Sequence, residues 1–246
     1  MSTRVLLAVI LGLSAAAADL IGGLLIVRRQ WSREYLKYFV AVGAGFMLAT
    51  VFLEMLPESF RLRSGANTQI AVLVLAGYLL VHLFEHTLAP HFHFGEETHH
   101  HEISAHGAGA AAVLGLVIHT FFDGVAIASG LLVSTWLGTV VFLAVFLHKL
   151  PEGFTVASLM LATGRGRGVA LVASAILGGS TMAGMALMYF LRGEVADALP
   201  FSAGVTLYVA ASDLIPEVNR EPGPRMALLV FFGGAVMLVL RALFQH

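Results

Sequence analysis

The chain is a succession of long apolar stretches separated by short polar connections. A helix needs about 20 mainly apolar residues to cross the hydrocarbon core of a bilayer, so each stretch predicts one membrane-spanning helix. The predicted fold class is therefore all-α, a polytopic membrane protein with eight transmembrane helices. These helices, called spans 1 to 8 below, are 4–27, 37–59, 69–89, 109–133, 136–160, 168–191, 200–219 and 225–243.

Composition supports a membrane protein and excludes most soluble classes. Hydrophobic residues make up 58% of the 246 residues and charged residues 12%, against roughly 45–50% and about 25% in an ordinary soluble domain. Eight spans leave no room for a separate soluble domain, so residues 1–246 are expected to form one transmembrane domain whose main partner is the lipid bilayer. The net charge of -1 and the scattered basic residues exclude a nucleic-acid-binding face. Because the chain has no cysteine, any metal site must use nitrogen and oxygen ligands.

Basic residues in the connections set the predicted orientation. One side of the membrane carries eight of them, and the other side, counting Arg4 and Arg241 near the termini, carries five. The side with the positive excess faces the cytoplasm, which places both termini outside and the His-rich loop, about residues 89–108, inside. Arg4 and the apolar run after it resemble a signal peptide, but the run continues to Val27 and is long enough to span. The expected location is the cytoplasmic membrane.

Spans 2 and 7 end in the same short pattern. Residues 54–58 and 213–217 both read as an acidic residue, two apolar residues and then Pro-Glu. Because spans 2 and 7 run in opposite directions, the match indicates an inverted repeat of spans 1–3 and 6–8. The predicted arrangement is 3+2+3 with spans 4 and 5 in the centre, where proteins built this way place their ligand sites.

The two central spans each contain a histidine and a carboxylate four residues apart. His119 and Asp123 lie in span 4, and His148 and Glu152 lie in span 5. Residues at i and i+4 share one helix face, so each pair can direct two ligand atoms at one point. Imidazole with carboxylate suits zinc, iron, manganese, cobalt or cadmium and does not select among them.

A single intramembrane histidine can instead hydrogen-bond a neighbouring helix. Four ionisable side chains in two matched pairs are harder to explain in that way, because a charged group at the membrane centre costs about 2.5–3.5 kcal/mol. A metal site between spans 4 and 5 is therefore the favoured interpretation.

The residues around these pairs resemble the signatures of one family. Residues 119–124, His-Thr-Phe-Phe-Asp-Gly, are similar to the His-Asn-x-x-Asp/Glu-Gly motif in the fourth helix of the ZIP (Zrt/Irt-like) divalent metal-ion transporters. Residues 148–153, His-Lys-Leu-Pro-Glu-Gly, are similar to the fifth-helix motif His-x-x-Pro-Glu-Gly. The resemblance implies a transporter, not an enzyme, that moves zinc, or a related ion such as Cd²⁺, Fe²⁺ or Mn²⁺, into the cytoplasm without an organic cofactor. It also implies the transport-site ligands, which are His119, Asp123, His148 and Glu152.

Two positions depart from the family pattern. Many members have a polar or acidic residue directly after each signature histidine that helps to bind a second metal, whereas this chain has Thr120 and Lys149. A protonated lysine cannot ligate a metal, and its charge repels a second dication. We therefore predict a single-metal site in which the Lys149 ammonium takes the place of the second ion and pairs with Glu152 or Asp123. The alternative is that Lys149 extends toward a membrane interface.

Further ionisable residues are candidates for the route of an ion. Asp19 lies within span 1, and His82 and His86 in span 3 repeat the i, i+4 spacing. The candidates in and near spans 2, 3 and 7 are Glu54, Glu58, His82, Glu85, His86, Asp213 and Glu217. Carboxylates at the two openings could concentrate cations, or they could be interfacial charges that face water. The His-rich loop adds candidates for weak metal binding, which are His91, His93, His99, His100, His101 and His106.

Two other functions stay open on the sequence alone. Zinc with three protein ligands and a bound water is a catalytic arrangement, so an intramembrane zinc-dependent hydrolase is one alternative, although four strong ligands argue against the open position. A metal-responsive membrane sensor without transport is the other. A homodimer is compatible with the sequence, which does not decide the oligomeric state.

Overall fold

The fold is a bundle of helices, as a computed structural model shows for residues 3–28, 33–88 and 106–244. Within these ranges all regular structure is helical, and eight helical segments are long and apolar enough to cross a membrane. The predicted fold class is thereby confirmed. Spans 1, 3, 4, 5, 6 and 8 are single α-helices, namely Thr3–Val27, Asn67–Leu88, His106–Val133, Thr135–Ala162, Arg167–Phe190 and Pro224–Phe244.

Spans 2 and 7 are each interrupted by a π-helical segment. Span 2 consists of Arg33–Thr50, the π segment Val51–Met55 and Leu56–Leu62. Span 7 consists of Val195–Tyr208, the π segment Val209–Leu214 and Ile215–Asn219. Each π segment contains the first acidic residue of the repeated pattern and ends shortly before its proline. The pattern found in the sequence therefore marks the same irregularity in both halves of the chain.

The proline in span 2 explains why the helix changes there. Pro57 has no N–H, so it cannot donate to the carbonyl of Leu53, which lies four residues earlier. Arg241 of span 8 donates from Nη1 to that oxygen at 2.6 Å. A side chain from another span thus satisfies a backbone acceptor that the proline leaves without its helical partner.

Span 7 begins at Val195, earlier than the predicted start at residue 200. Its first turn contains Asp197, whose negative charge is favourable at a helix N-terminus. Arg63 also donates to Asp197 at 2.6 Å. Hydropathy assigns these polar residues to the connection, although they form part of the helix.

Spans 2, 4, 5 and 7 form the interior of the bundle. Span 5 is the most enclosed of the eight, with 72% of its apolar stretch buried, whereas 11% of the apolar stretch of span 8 is buried. The outer spans present large apolar side chains outward, as expected where the surroundings are hydrocarbon. The two spans that contain the histidine–carboxylate pairs, spans 4 and 5, are therefore both in the interior of the bundle.

The helix contacts of one half of the chain repeat in the other half. Span 1 packs on span 5 as span 6 packs on span 4, and span 2 packs on span 8 as span 7 packs on span 3. Span 2 also contacts span 5 as span 7 contacts span 4. These pairs are the ones that a 3+2+3 inverted repeat produces.

Glycines bring the paired helices into backbone contact. A Cβ atom added at Gly153 would lie 1.9 Å from the carbonyl oxygen of Asp19, and one added at Gly124 would lie 2.0 Å from that of Thr181. Small residues permit this close approach, which is typical of helix packing in membranes. At each such interface the facing helix also contributes a glycine, and the pairs are Gly22 with Gly153, Gly124 with Gly184, Gly45 with Gly233, and Gly77 with Gly204.

Replacing Gly45 with alanine should destabilise the protein. The added Cβ would lie 1.8 Å from the carbonyl oxygen of Val230, so spans 2 and 8 would have to separate, and overpacking of this kind costs about 1–3 kcal/mol. Thermal unfolding of the purified protein in detergent should show a lower Tm. Gly179→Ala is the matched control, since within the described part of the chain its added Cβ meets no atom within 4 Å beyond the neighbouring backbone of its own helix. An equal loss of stability in both variants would contradict the packing argument.

Candidate metal centre

The four residues of the two histidine–carboxylate pairs meet in the centre of the bundle. His119, Asp123, His148 and Glu152 are all buried, and one ligand atom from each lies within 4.8 Å of those of the others. Asp123 Oδ2 lies 3.3 Å from His119 Nε2 and 3.2 Å from His148 Nε2. His148 is near the middle of Thr135–Ala162, so at 1.5 Å per residue it lies about 20 Å from either end of span 5.

A tight turn fixes the register between spans 4 and 5. Span 4 ends at Val133 and span 5 begins at Thr135, which leaves Ser134 as the connection. Its hydroxyl accepts a hydrogen bond from the Leu137 N–H at 3.0 Å and so caps the new helix. With the connection this short, neither helix can slide along the other, and the two pairs stay at the same depth.

Lys149 lies beside the cluster. Its Nζ is 2.8 Å from Asp123 Oδ2 and 2.8 Å from Glu152 Oε2, and 3.8 Å from Asp19 Oδ2 on span 1. The side chain is completely buried, so it does not extend toward an interface. The structure pairs Lys149 with both carboxylates that the sequence offered as alternatives.

The donor set of the cluster suits a divalent metal. His148 Nδ1 lies 3.2 Å from the carbonyl oxygen of Ala144, and when Nδ1 donates there, Nε2 presents its lone pair to the cluster. Among the described residues, no hydrogen-bond partner is present for Asp123 Oδ1, Glu152 Oε1 or His119 Nδ1. Buried acceptors without a partner are costly, and coordination of a cation by these residue types would satisfy them.

The carboxylate near the end of span 2 is already paired. Glu54 is buried and accepts a hydrogen bond from Trp136 Nε1 at 3.1 Å, while Arg241 Nε lies 3.5 Å away. Glu58 forms a pair with Arg61 at 2.7 Å. At the end of the bundle with the Ser134 turn, called the turn end below, acidic groups are thus matched by basic ones.

The opposite end, called the loop end, has a different polar cluster. The side chain of Asp213 contacts that of Glu85, and Glu85 accepts a hydrogen bond from the Tyr208 hydroxyl at 2.9 Å. The rings of His82 and His86 lie with their centroids 4.1 Å apart. Glu217, the last acid of span 7, pairs instead with Arg220 at 3.1 Å. The structure therefore brings Glu85 of span 3 and Asp213 of span 7 together, and the ring centroid of His82 lies 5.9 Å from that of Tyr208.

Some polar contacts of the candidate residues were not predicted from the sequence. They are the contacts of Arg241 and Trp136 with Glu54 and of Tyr208 with Glu85. Hydropathy locates the spans but does not show which spans are neighbours. Asp19 did give a signal, because an acid inside a span requires a partner. The histidines of the His-rich loop, His91, His93, His99, His100, His101 and the side chain of His106, lie outside the described residues.

Comparison with known proteins identifies relatives over most of the chain. A family model described as ZIP Zinc transporter matches residues 3–113 and 107–241. Zinc transporter ZIP13 of Pongo abelii is 28% identical over 239 residues, covering 89% of this chain and 70% of that protein. Zinc transporter ZIP9-A of Xenopus laevis is 25% identical over 259 residues, covering 85% and 84% respectively. Zinc transporter SLC39A7 of Homo sapiens is 30% identical over a shorter region of 138 residues, 50% of this chain and 29% of that protein.

Removing the buried lysine should destabilise the metal-free protein far more than removing an exposed one. Lys149→Met leaves buried carboxylates without their cation, and breaking a buried ion pair costs about 3–5 kcal/mol. Lys37→Met is the control, because Lys37 and Glu221 form a pair with side chains about a third exposed and such pairs contribute at most about 1 kcal/mol. The Tm of each variant with chelator present checks the difference. Similar losses in both would contradict the role given to Lys149.

Proposed function

Because this chain belongs to the ZIP zinc transporter family, we propose that it moves zinc into the cytoplasm through a single-ion site made by His119, Asp123, His148 and Glu152. The observation that carries the proposal is the buried cluster of these four side chains at the centre of the bundle. The relatives are transporters, not enzymes, so the hydrolase considered from the sequence falls away. Cadmium, iron(II) and manganese fit the same donors and are proposed as secondary substrates.

The polar cluster at the loop end supports a release route. Asp213 lies close enough to Glu152 for their charges to interact, and it contacts Glu85. His82 and His86 precede and follow Glu85 along span 3, and their side chains are exposed. Carboxylate and imidazole are suitable transient ligands for a divalent ion, so these residues form a series of steps from the central site toward the cytoplasm. The His-rich loop, proposed from the sequence alone, would receive ions on that side.

The turn end would control access from the other side. Glu54 is held by Trp136 and lies beside Arg241, so an incoming cation must compete with the guanidinium for this carboxylate. Opening therefore requires spans 2 and 8 to exchange an internal ion pair for the metal. Glu58, which pairs with the exposed Arg61, would act only as a weak surface attractor.

The proposed site holds one ion because Lys149 occupies the space beside it. Its ammonium contacts both carboxylates of the cluster, and a second dication at that distance would meet a like charge in a poorly screened interior. The filled site thus contains two cations, which are the bound metal ion and the Lys149 ammonium.

Zinc uptake by proteoliposomes should depend on the central histidine. We expect His148→Ala to reduce uptake to the background of vesicles without protein, since the cluster loses a ligand. Thr139→Ala on the same helix is the control, because its exposed hydroxyl donates to the Thr135 carbonyl of the same helix, and its uptake should be unchanged. Cadmium, iron(II) and manganese are measured in parallel. Metal binding without flux in the wild-type protein would favour a sensor.

The number of bound ions should follow the charge at position 149. We expect one zinc per wild-type chain in equilibrium dialysis with elemental analysis, because the ammonium excludes a second ion. Lys149→Asp should bind two, since it replaces the competing cation with a further ligand. Two ions on the wild-type chain would refute the single-ion site.

A further inference from the structure

Asp19 is a buried carboxylate that is not one of the four proposed metal ligands. It lies in the middle of span 1 and is completely buried. Neither of its oxygens has a hydrogen-bond partner among the described residues, and the nearest cation is Lys149 Nζ, 3.8 Å from Oδ2. An ionisable group in the interior of a membrane protein lowers its stability, so its presence there indicates a function.

The position of Asp19 relative to Lys149 is fixed by backbone packing. The Asp19 carbonyl oxygen rests against Gly153, and Gly22, one turn further along span 1, rests against the Leu150 carbonyl of span 5. Both contacts lie within the four residues of span 5 that follow Lys149. Span 1 therefore cannot move away from Lys149 without losing these contacts.

The two halves of the inverted repeat differ at the positions of this acid and this lysine. Gly153 contacts the carbonyl of Asp19, and Lys149 lies four residues before Gly153. At the related interface Gly124 contacts the carbonyl of Thr181, and Thr120 lies four residues before Gly124. One interface thus has an anion opposite a cation, and the other has two neutral threonines. Asp19 and Lys149 therefore occur at the same interface, and the related interface has neither an acid nor a base at these positions.

The charges of the cluster balance only when Asp19 is counted. With the three carboxylates ionised, Lys149 protonated and the two histidines neutral, Asp19, Asp123, Glu152 and Lys149 together carry two net negative charges, and one divalent ion cancels them. Without Asp19, a filled site would retain one uncompensated positive charge, which is unfavourable in the membrane interior. The third carboxylate therefore matches a site that holds the lysine and one dication together.

We propose that Asp19 is the counter-ion that receives Lys149 when a divalent metal ion binds to Asp123 and Glu152. The bound ion repels the ammonium from those two carboxylates. Asp19 is the next anion, and a movement of about 1 Å closes the gap to hydrogen-bonding distance. Asp19 is thus a positioning residue that acts through Lys149 and does not touch the metal. This role rests on the proposed single-ion site.

A double-mutant cycle on zinc affinity tests the counter-ion role. Isothermal titration calorimetry of the whole 246-residue chain in detergent compares wild type, Asp19→Asn, Lys149→Met and the double variant. Asp19→Asn should weaken zinc binding roughly 10- to 100-fold, the range expected from coupling between neighbouring charges. Lys149→Met should bind zinc at least as tightly as wild type, because it removes the ammonium that competes for Asp123 and Glu152 and leaves no cation that needs Asp19. In the double variant, two carboxylates face one dication, so the loss caused by Asp19→Asn should disappear and affinity should be no more than about threefold weaker than that of wild type.

The outcomes separate the counter-ion role from the proposed function. If the wild-type protein binds no zinc, both the counter-ion role and the proposed function are refuted. Wild-type binding with an undiminished affinity in Asp19→Asn overturns the counter-ion role alone, and so does a double variant that stays as weak as Asp19→Asn, because a ligand or packing role would not be rescued by removing Lys149. Asp19→Ser, alone and with Lys149→Met, repeats the cycle with a smaller side chain, so the result does not depend on one substitution folding.

Discussion

The contact of Lys149 with Asp123 and Glu152 is the interaction on which the rest of this structure depends. Charged groups are stable in the middle of a membrane only when opposite charges meet at short range, and here they meet at 2.8 Å. That distance requires spans 4 and 5 to keep one register, which the single-residue turn at Ser134 provides. It also requires spans 1 and 6 to approach closely enough to exclude lipid, which the glycine contacts allow.

The backbone of the bundle is more symmetrical than its side chains. Glycine contacts and π segments recur in both halves of the chain, so the same helical framework is used twice. The polar groups differ between the halves: Glu54 lies beside an arginine at the turn end, whereas Asp213 lies beside a second acid at the loop end. The acid at one end of the bundle is therefore matched by a base, and the acid at the other end lies beside a second acid.

The sequence predicted those features that depend on local spacing. Eight apolar stretches gave eight spans, and the i, i+4 spacing placed His119 with Asp123 and His148 with Glu152 on common helix faces. The π segments had no such signal, because a single wide turn leaves hydropathy unchanged. The contacts of Asp19 with Lys149, Arg241 with Glu54 and Tyr208 with Glu85 depend on which helices are neighbours. Polar residues near helix ends, such as Asp197, also misled the prediction of the start of span 7.

A lysine that stays beside the substrate has a kinetic consequence for the proposed transport. The ammonium competes with the metal for the same two carboxylates, so each bound ion is opposed by a tethered rival that never diffuses away. Such competition lowers the affinity for the ion, and in related complexes most of a difference in affinity falls on the dissociation rate, so the ion stays bound for a shorter time. A site with four strong ligands could otherwise hold zinc too long for rapid turnover. The resident cation lets strong ligands serve a site that must release its ion.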